Sequence, residues 1–229
     1  MSLKIRWFGH GTYGLDIGSH RIVVDPFFAP DNPACPVSCD EVEADFILQT
    51  HGHGDHISDT VSLARRTGAL VIANFEICNW IAEHGHDNTH GMNIGGGYLF
   101  PFGRVEMTLA LHSSGLPDGA YGGNPGGFLV TAEGRKLYFA GDTAVFSDMS
   151  MIGDEGLDVA VLPIGDNFTM NAQSSLRAIG FLRPKVVIPG HYDTWPIVAQ
   201  DARAWEVKVR ENTDAEPVVM APGESYTVS

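Results

Sequence analysis

The sequence predicts an α/β protein built from layers of strands and helices. Short β-like runs recur along the 229 residues, and turn residues separate most of them. Between these runs lie helical patterns, with apolar residues three or four positions apart. Because the two patterns alternate along the chain, a layered α/β architecture is expected.

The elements follow one another in a defined order. The predicted strands cover residues 4–8, 13–17, 21–24, 46–49, 70–73, 105–111, 127–131, 136–140, 159–162, 186–188 and 218–220. The predicted helices cover residues 57–66, 75–83, 172–181 and 199–210. Two Gly-rich stretches, residues 91–97 and 115–127, are predicted to form loops over a site. No linker or low-complexity segment divides the chain, so residues 1–229 are expected to form one domain.

Composition narrows the classes of function. The chain has 28 acidic and 14 basic residues, and the net charge of −14 disfavours broad contact with nucleic acid or an anionic membrane. No apolar stretch approaches the ~20 residues of a membrane-spanning helix. Residues 1–7 lack a signal-peptide pattern and have the pattern of a strand, so a cytoplasmic location is expected.

The three cysteines do not form a disulfide framework in a chain of this length. Cys78 has the sequence surroundings of a core residue. Cys35 and Cys39 flank a short segment in a Pro-rich loop, where they could pair or bind metal. A reducing compartment favours free thiols, and the pairing stays open.

Four candidate metal ligands fall within six residues of one turn. They are His51, His53, Asp55 and His56, directly after a predicted strand. Packing gives no reason for three imidazoles and a carboxylate on one turn, whereas a dinuclear hydrolytic site requires nitrogen donors and an anionic oxygen donor. The ligand number and spacing therefore disfavour a polar turn with incidental histidines.

The spacing divides these donors between two ions. Side chains two residues apart in an extended segment point to the same side, so His51 and His53 can bind one metal. Asp55 and His56 then serve a second metal. A third donor for the first metal must come from elsewhere in the chain.

Three later residues supply further donors at strand ends, where loops commonly build sites. His112 follows the predicted strand at 105–111. Asp142 comes shortly after the predicted strand at 136–140, and His191 shortly after the one at 186–188. Taken alone, each could be a surface histidine or a turn aspartate. Together with the first group, they predict a hydrolytic metal site.

Several segments along almost the whole chain carry a resemblance to a known family. They are Gly9-His10, Val24–Phe27, Thr50–His56, His90–Gly96, His112–Gly115, Ala140–Thr143, Phe146–Met149, Leu162–Met170 and His191-Tyr192. With these segments the chain resembles the metallo-β-lactamase superfamily and, within it, the UPF0173 metal-dependent hydrolase family. It departs from the family pattern at residues 35–39 and 189–195, and neither departure changes a ligand.

The resemblance implies a metallo-β-lactamase-type four-layer αββα sandwich, with the metals at one edge between the two sheets. It implies one metal bound by His51, His53 and His112. It implies a second metal bound by Asp55, His56 and His191, with Asp142 bridging the two.

Such a site predicts hydrolysis without a protein nucleophile. Two divalent ions can share a water and lower its pKa from about 15.7 toward 7, which gives a bridging hydroxide at neutral pH. Asp55 is expected to orient that hydroxide as well as to bind metal, and is the predicted catalytic residue. Zn²⁺ suits imidazole-rich donors, and Mn²⁺, Ni²⁺, Co²⁺ or Fe could occupy the same site.

Supporting roles are expected for five further residues, namely His10, Asp25, His90, Asn167 and Tyr192. Asp25 could accept the free N–H of a ligand imidazole, and His10 or Thr50 could act similarly. A turn role is equally open for Asp25. His90, Asn167 and Tyr192 are candidates for substrate contact or oxyanion stabilisation.

The sequence therefore predicts a metal-dependent hydrolase acting on a small ester, lactone or phosphoester. One alternative is phosphodiester cleavage of nucleic acid, which the acidic charge disfavours. Another is a non-catalytic metal-binding protein, whose metals would be fully enclosed by protein atoms. A small-molecule substrate is expected, with no nucleic-acid or membrane partner. The sequence determines neither the particular substrate nor the oligomeric state.

Overall fold

Two facing sheets of seven strands each form the centre of the computed structural model, which describes residues 3–228. Residues 1, 2 and 229 of the predicted domain lie outside the described residues. The strands of the first sheet are β1 (Leu3–Gly9), β2 (Thr12–Ile17), β3 (His20–Val24), β4 (Phe46–Leu48), β5 (Leu70–Asn74), β6 (Thr89–Met92) and, from the far end of the chain, β14 (Ser225–Val228). Their order is β14-β1-β2-β3-β4-β5-β6.

The second sheet is built mostly from the later part of the chain. Its strands are β7 (Gly97–Phe100), β8 (Gly103–Leu109), β9 (Gly126–Ala132), β10 (Arg135–Phe139), β11 (Val159–Pro163), β12 (Val186–Gly190) and β13 (Glu216–Pro217). They lie in the order β13-β12-β11-β10-β9-β8-β7. Each sheet is mixed: β3 to β6 and β10 to β13 run parallel, while the remaining neighbours are antiparallel.

The helices are α1 (Gly54–Ile57), α2 (Thr60–Thr67), α3 (Phe75–Glu83), α4 (Met149–Gly153), α5 (Ala172–Leu182) and α6 (Ala202–Asn212). Side-chain caps define three of their starts. Asn74, Asn171 and Asp201 accept backbone N–H groups at the beginnings of α3, α5 and α6. Within the described residues, none of the helices combines the length and hydropathy needed to cross a membrane.

Alternation along the strands separates the layers. Ile22 and Val24 of β3 point into the core that the two sheets share, while Val23 between them packs on the outer face. On that outer face lie apolar residues of α2 and α3, such as Leu63 and Ile77. Helices α5 and α6 pack against the other sheet. The predicted αββα order of layers is therefore confirmed.

The structure corrects the predicted helix at 57–66. Two short helices, α1 and α2, replace it, with a break at Ser58 and Asp59. The Asp59 carboxylate accepts the backbone N–H of Phe28 at 2.7 Å, and its side chain makes no capping bond to α2. The chain is thus tied to the preceding loop at this break.

The predicted strand at 218–220 was also wrong, because the pairing with β12 lies at Glu216 and Pro217. The strand expected at 105–111 ends at Leu109. Part of the expected loop at 91–97 belongs to β6 and β7. Those two strands, β14 and α4 were not predicted, since their sequences are short or rich in glycine and polar residues.

Candidate metal centre

The predicted ligands meet at one edge of the sandwich. His51 and His53 lie between β4 and α1, and Asp55 and His56 lie on α1. The other three come from the opposite sheet, where His112 follows β8, Asp142 follows β10 and His191 follows β12. Adjacent strand ends therefore bring together residues that are up to 140 positions apart in sequence.

Asp142 lies at the middle of this group, with its side chain 5% exposed. Its Oδ2 is 3.0 Å from Nε2 of His191 and 3.4 Å from Nε2 of His56. The same oxygen is 3.6 Å from Nε2 of His112 and 4.0 Å from that of His51. Burial alone would raise the pKa of Asp142, but His191 and His56 outweigh it and hold the pKa well below its usual value.

The first cluster consists of His51, His53 and His112, whose donor atoms all lie within 4.8 Å of one another. Nδ1 of His53 is 3.1 Å from Nε2 of His51 and 3.2 Å from Nε2 of His112. The remaining nitrogens of two rings are anchored, since Thr50 Oγ1 lies 2.9 Å from His51 Nδ1 and Ser113 Oγ lies 3.2 Å from His53 Nε2. His53 therefore offers Nδ1 to the cluster, whereas the other two offer Nε2.

The second cluster consists of Asp55, His56, His191 and His10, with donor atoms also within 4.8 Å of one another. Asp55 Oδ2 is 4.0 Å from His191 Nε2 and 3.1 Å from His10 Nε2. Asp55 is the most open member, with its side chain 32% exposed. Although burial raises its pKa, the His10 hydrogen bond and the nearby His56 hold that pKa well below its usual value.

Asp25 contacts His56 of the second cluster and also Thr50, whose hydroxyl contacts His51 of the first cluster. Its Oδ2 is 2.8 Å from His56 Nδ1 and accepts the Thr50 hydroxyl at 2.5 Å. Its Oδ1 accepts the Thr50 backbone N–H at 2.7 Å and the Gln49 amide at 3.1 Å. The Asp25 side chain is 2% exposed, and burial raises its pKa. Of the two roles open for Asp25, the structure shows contact with a candidate ligand imidazole.

Burial also sets the charge of the histidines. It lowers the pKa of His51 well below the usual value and lowers those of His53 and His112. For His56, burial acts in the same direction but is outweighed by the carboxylates of Asp142 and Asp25, which raise its pKa. The first cluster is therefore neutral at neutral pH, which is the form in which imidazole binds metal.

The donors fit divalent cations. Nε2 of His56 is buried without a hydrogen-bond partner, while its Nδ1 is held by Asp25. That pattern, with one ring nitrogen anchored by a carboxylate and the other directed at a cluster, is typical of a metal-binding histidine. In the first cluster, neutral imidazole nitrogens face one another at hydrogen-bond distance, and a cation between them would satisfy their lone pairs.

The remaining predicted residues have different surroundings. The ring of His90 lies 4.5 Å from that of Tyr98 and 4.9 Å from that of Phe100, at the β6 and β7 edges. Tyr192 is 5% exposed and stacks on Trp7 at 5.1 Å, which gives its ring a packing role. Asn167 is exposed in the loop after β11, where its φ is 47°.

Sequence reasoning missed two residues beside the centre. Thr194 lies 2.7 Å from His10 Nδ1, and its position three residues after His191 is the signal that could have indicated it. Gly165 packs so closely on His191 that an added Cβ would meet the His191 carbonyl and Nδ1. No sequence signal distinguishes Gly165 from an ordinary turn glycine, because the contact is long-range.

Comparison with known proteins gives consistent matches over almost the whole chain. The model of the beta-lactamase superfamily domain matches residues 20–192. A UPF0173 metal-dependent hydrolase of Heliobacterium modesticaldum is 44% identical over 235 residues, which cover 99% of this chain and 98% of that protein. One from Thermus thermophilus is 46% identical over 222 residues, covering 97% of each.

Solved structures agree with these matches. A metallo hydrolase of the archaeon Ignicoccus hospitalis superposes with a TM-score of 0.91 at 33% identity, covering 100% of this chain and 99% of that one. An isothiocyanate hydrolase from Delia radicum gut bacteria has the same fold, with a TM-score of 0.77 at 19% identity. That match covers 99% of this chain and 100% of the other.

Proposed function

Because this chain belongs to the UPF0173 metal-dependent hydrolases of the β-lactamase superfamily, we propose that it cleaves a small uncharged ester or lactone with two divalent ions. The chain is a metal-dependent hydrolase, and its His and Asp clusters can bind metal ions. The number of ions, the nucleophile and the substrate class are the proposal.

Seven residues would hold the ions in this proposal. His51, His53 and His112 form one donor set. Asp55, His56 and His191 form the other. Asp142 serves both sets, because its Oδ2 lies within 4.0 Å of a nitrogen from each.

Divalent ions bound there would lower the pKa of a shared water toward 7 and so supply hydroxide as the nucleophile, with Zn²⁺ as the best match to the donors. The protein's contribution is to hold its own groups in place. Asp25 accepts the Nδ1 proton of His56 and so leaves Nε2 of that ring free as a donor. Asp55, on the open side of the group, can accept a hydrogen bond from an attacking water.

The distribution of charge favours an uncharged substrate. Residues 22–64, 105–134, 137–176 and 186–202, which contain all seven candidate ligands, include no lysine or arginine. Two of the cationic side chains that flank these stretches in sequence form ion pairs, Arg21 with Asp45 and Lys185 with Asp158. A phosphoester would therefore meet acidic groups such as Asp166 and Asp193 without a protein cation to offset them.

Exposed apolar side chains lie on the loops around the centre. Leu111, Phe168 and Ile197 are 47%, 54% and 58% exposed, and each follows a strand of the second sheet. Hydrogen bonds join two of these loops to Thr143, whose hydroxyl oxygen accepts the backbone N–H of Leu111 and whose carbonyl accepts that of Met170. Leu111, Phe168 and Ile197 thus form an apolar rim around the centre, which suits a substrate with an apolar acyl or alkyl group.

The observation that carries the proposal is the position of Asp142 Oδ2 among four imidazole nitrogens, on chain segments that contain no lysine or arginine. The test compares p-nitrophenyl acetate and γ-butyrolactone with p-nitrophenyl phosphate and bis(p-nitrophenyl) phosphate, each with Zn²⁺, Mn²⁺, Ni²⁺ or Co²⁺. We expect the neutral substrates to have a kcat/KM at least about tenfold higher, since like-charge contact costs several kcal/mol. Faster cleavage of either phosphoester would contradict the substrate class.

Two variants sharpen this test. Asp142→Asn should abolish metal-dependent hydrolysis, and full activity in this variant would overturn the mechanism. Phe168→Lys places a cation on the rim and should shift the preference toward the phosphodiester at low salt. Phe168→Gln, which is polar but uncharged, is its control and should leave the preference unchanged.

A further inference from the structure

His10 is held against the second cluster by its own backbone. It lies in the turn between β1 and β2, is fully buried, and has a φ of 53°. Its carbonyl accepts the indole N–H of Trp7 at 2.9 Å and the backbone N–H of His191 at 3.0 Å. A left-handed backbone is unfavourable for a residue with a Cβ, so this turn fixes an otherwise costly conformation.

Both nitrogens of the His10 ring have partners. Nδ1 is 2.7 Å from the Thr194 hydroxyl, and Nε2 is 3.1 Å from Asp55 Oδ2. The other acceptor near the Thr194 hydroxyl, the Tyr192 carbonyl, is 3.5 Å away, at the limit of a hydrogen bond. The Thr194 O–H is therefore best directed at Nδ1, which leaves the ring proton on Nε2 to be donated to Asp55.

Asp55 depends on this single bond more than the other carboxylates of the site do. Within residues 3–228, the hydrogen bond of the Asp55 side chain is the one from His10, and this side chain is 32% exposed. Asp25, by contrast, accepts from Thr50, Gln49 and His56. Without His10, Asp55 would be free to rotate toward solvent.

We propose that His10, oriented by Thr194, is a positioning residue that fixes the Asp55 carboxylate for the second metal cluster. The inference rests on the proposed function only in taking Asp55 as a ligand, and metal binding can test it without any substrate. A role as a direct ligand would require an unprotonated Nε2, which the Thr194 contact disfavours.

The experiment titrates metal-free protein with Co²⁺ against a competing chelator and measures the affinity of each cluster. His10→Leu removes the donor, while His10→Gln keeps an amide N–H at a similar reach. Thr194→Val removes the hydroxyl that sets the tautomer, and Thr194→Ser keeps it. Thermal unfolding of each metal-free variant reports any general loss of structure.

We expect His10→Leu to weaken the second ion by about 10- to 100-fold, as is typical when a partner of a ligand is lost, and to leave the first ion unchanged. His10→Gln should recover most of that affinity. Thr194→Val should weaken the second ion, and Thr194→Ser should restore it. Equal affinities for His10→Leu and His10→Gln would overturn the donor role, as would an equal loss at both clusters.

Proton NMR of the Co²⁺-loaded protein separates positioning from ligation. A histidine bound to Co²⁺ through one nitrogen shows a strongly shifted N–H resonance from the other. We expect no such resonance to disappear in His10→Gln. Loss of one in that variant would make His10 a ligand and overturn the proposal.

Discussion

Replacing Asp25 with Asn tests whether a buried carboxylate that contacts a candidate ligand controls metal affinity. Its Oδ2 lies 2.8 Å from His56 Nδ1 and 2.5 Å from the Thr50 hydroxyl. In Asp25→Asn one acceptor oxygen becomes an N–H donor that faces these groups. His56 can then relax by moving its proton to Nε2, which removes the lone pair that would bind metal.

The expected effect on metal binding follows from this change. Loss of a partner of a ligand costs about 10- to 100-fold in affinity, or about 1.4 to 2.8 kcal/mol, and it should fall on the ion bound through His56. The assay is competitive titration of metal-free protein with Zn²⁺ and a chelator. Asp59→Asn is a matched control, because Asp59 also accepts a backbone N–H at 2.7 Å but is a member of neither cluster. Unchanged affinity in Asp25→Asn, or an equal loss in Asp59→Asn, would refute the reasoning.

Three further outcomes are expected. The pKa of His10 is about 4 in the folded protein, against 6.5 when unperturbed, because of burial and the nearby His191. The unfolded state therefore binds more protons, and the metal-free protein should lose about 3 kcal/mol as pH falls from 6.5 to 4. Urea unfolding should show a weaker loss in His10→Gln, and equal losses would contradict the pKa. Gly165→Ala places a Cβ against the His191 carbonyl, and it should lower the free energy of unfolding by about 1–3 kcal/mol and weaken metal binding. Gly156→Ala, where a Cβ would meet open space, should leave metal affinity unchanged. Trp205→Phe removes the buried hydrogen bond from the indole N–H to the Ser175 hydroxyl at 2.8 Å. It should lower the free energy of unfolding in urea by about 1.5–3 kcal/mol without changing metal binding. An unchanged free energy of unfolding would exclude a contribution from that bond.

Hydrophobic pattern was sufficient to predict the layers of the fold. Runs such as residues 159–162 and 186–188 are continuous and apolar because β11 and β12 are covered on both faces. The β6 and β7 strands escaped prediction because they lie at the sheet edges and are rich in glycine, so tertiary pairing decides their conformation. The break between α1 and α2 depends on Asp59 contacting Phe28, which no local pattern reveals.

The candidate metal ligands could be listed from sequence because ligand chemistry restricts residue types. The contacts that hold these ligands in place could not be predicted from sequence. Tyr192 follows His191 directly, yet its ring turns away to stack on Trp7, while Thr194 reaches His10 from two residues further on. Such directions depend on backbone angles, including the positive φ of His191 and Asp193, at 54° and 57°.

Anomalous diffraction from crystals of the Zn²⁺-loaded protein tests the central claim most directly. We expect two peaks at the zinc absorption edge, one among His51, His53 and His112 and one among Asp55, His56 and His191. Both should contact Asp142, and crystals of Asp142→Asn should lose at least one peak. A single peak away from Asp142, or two peaks unchanged in Asp142→Asn, would contradict a centre organised around that carboxylate.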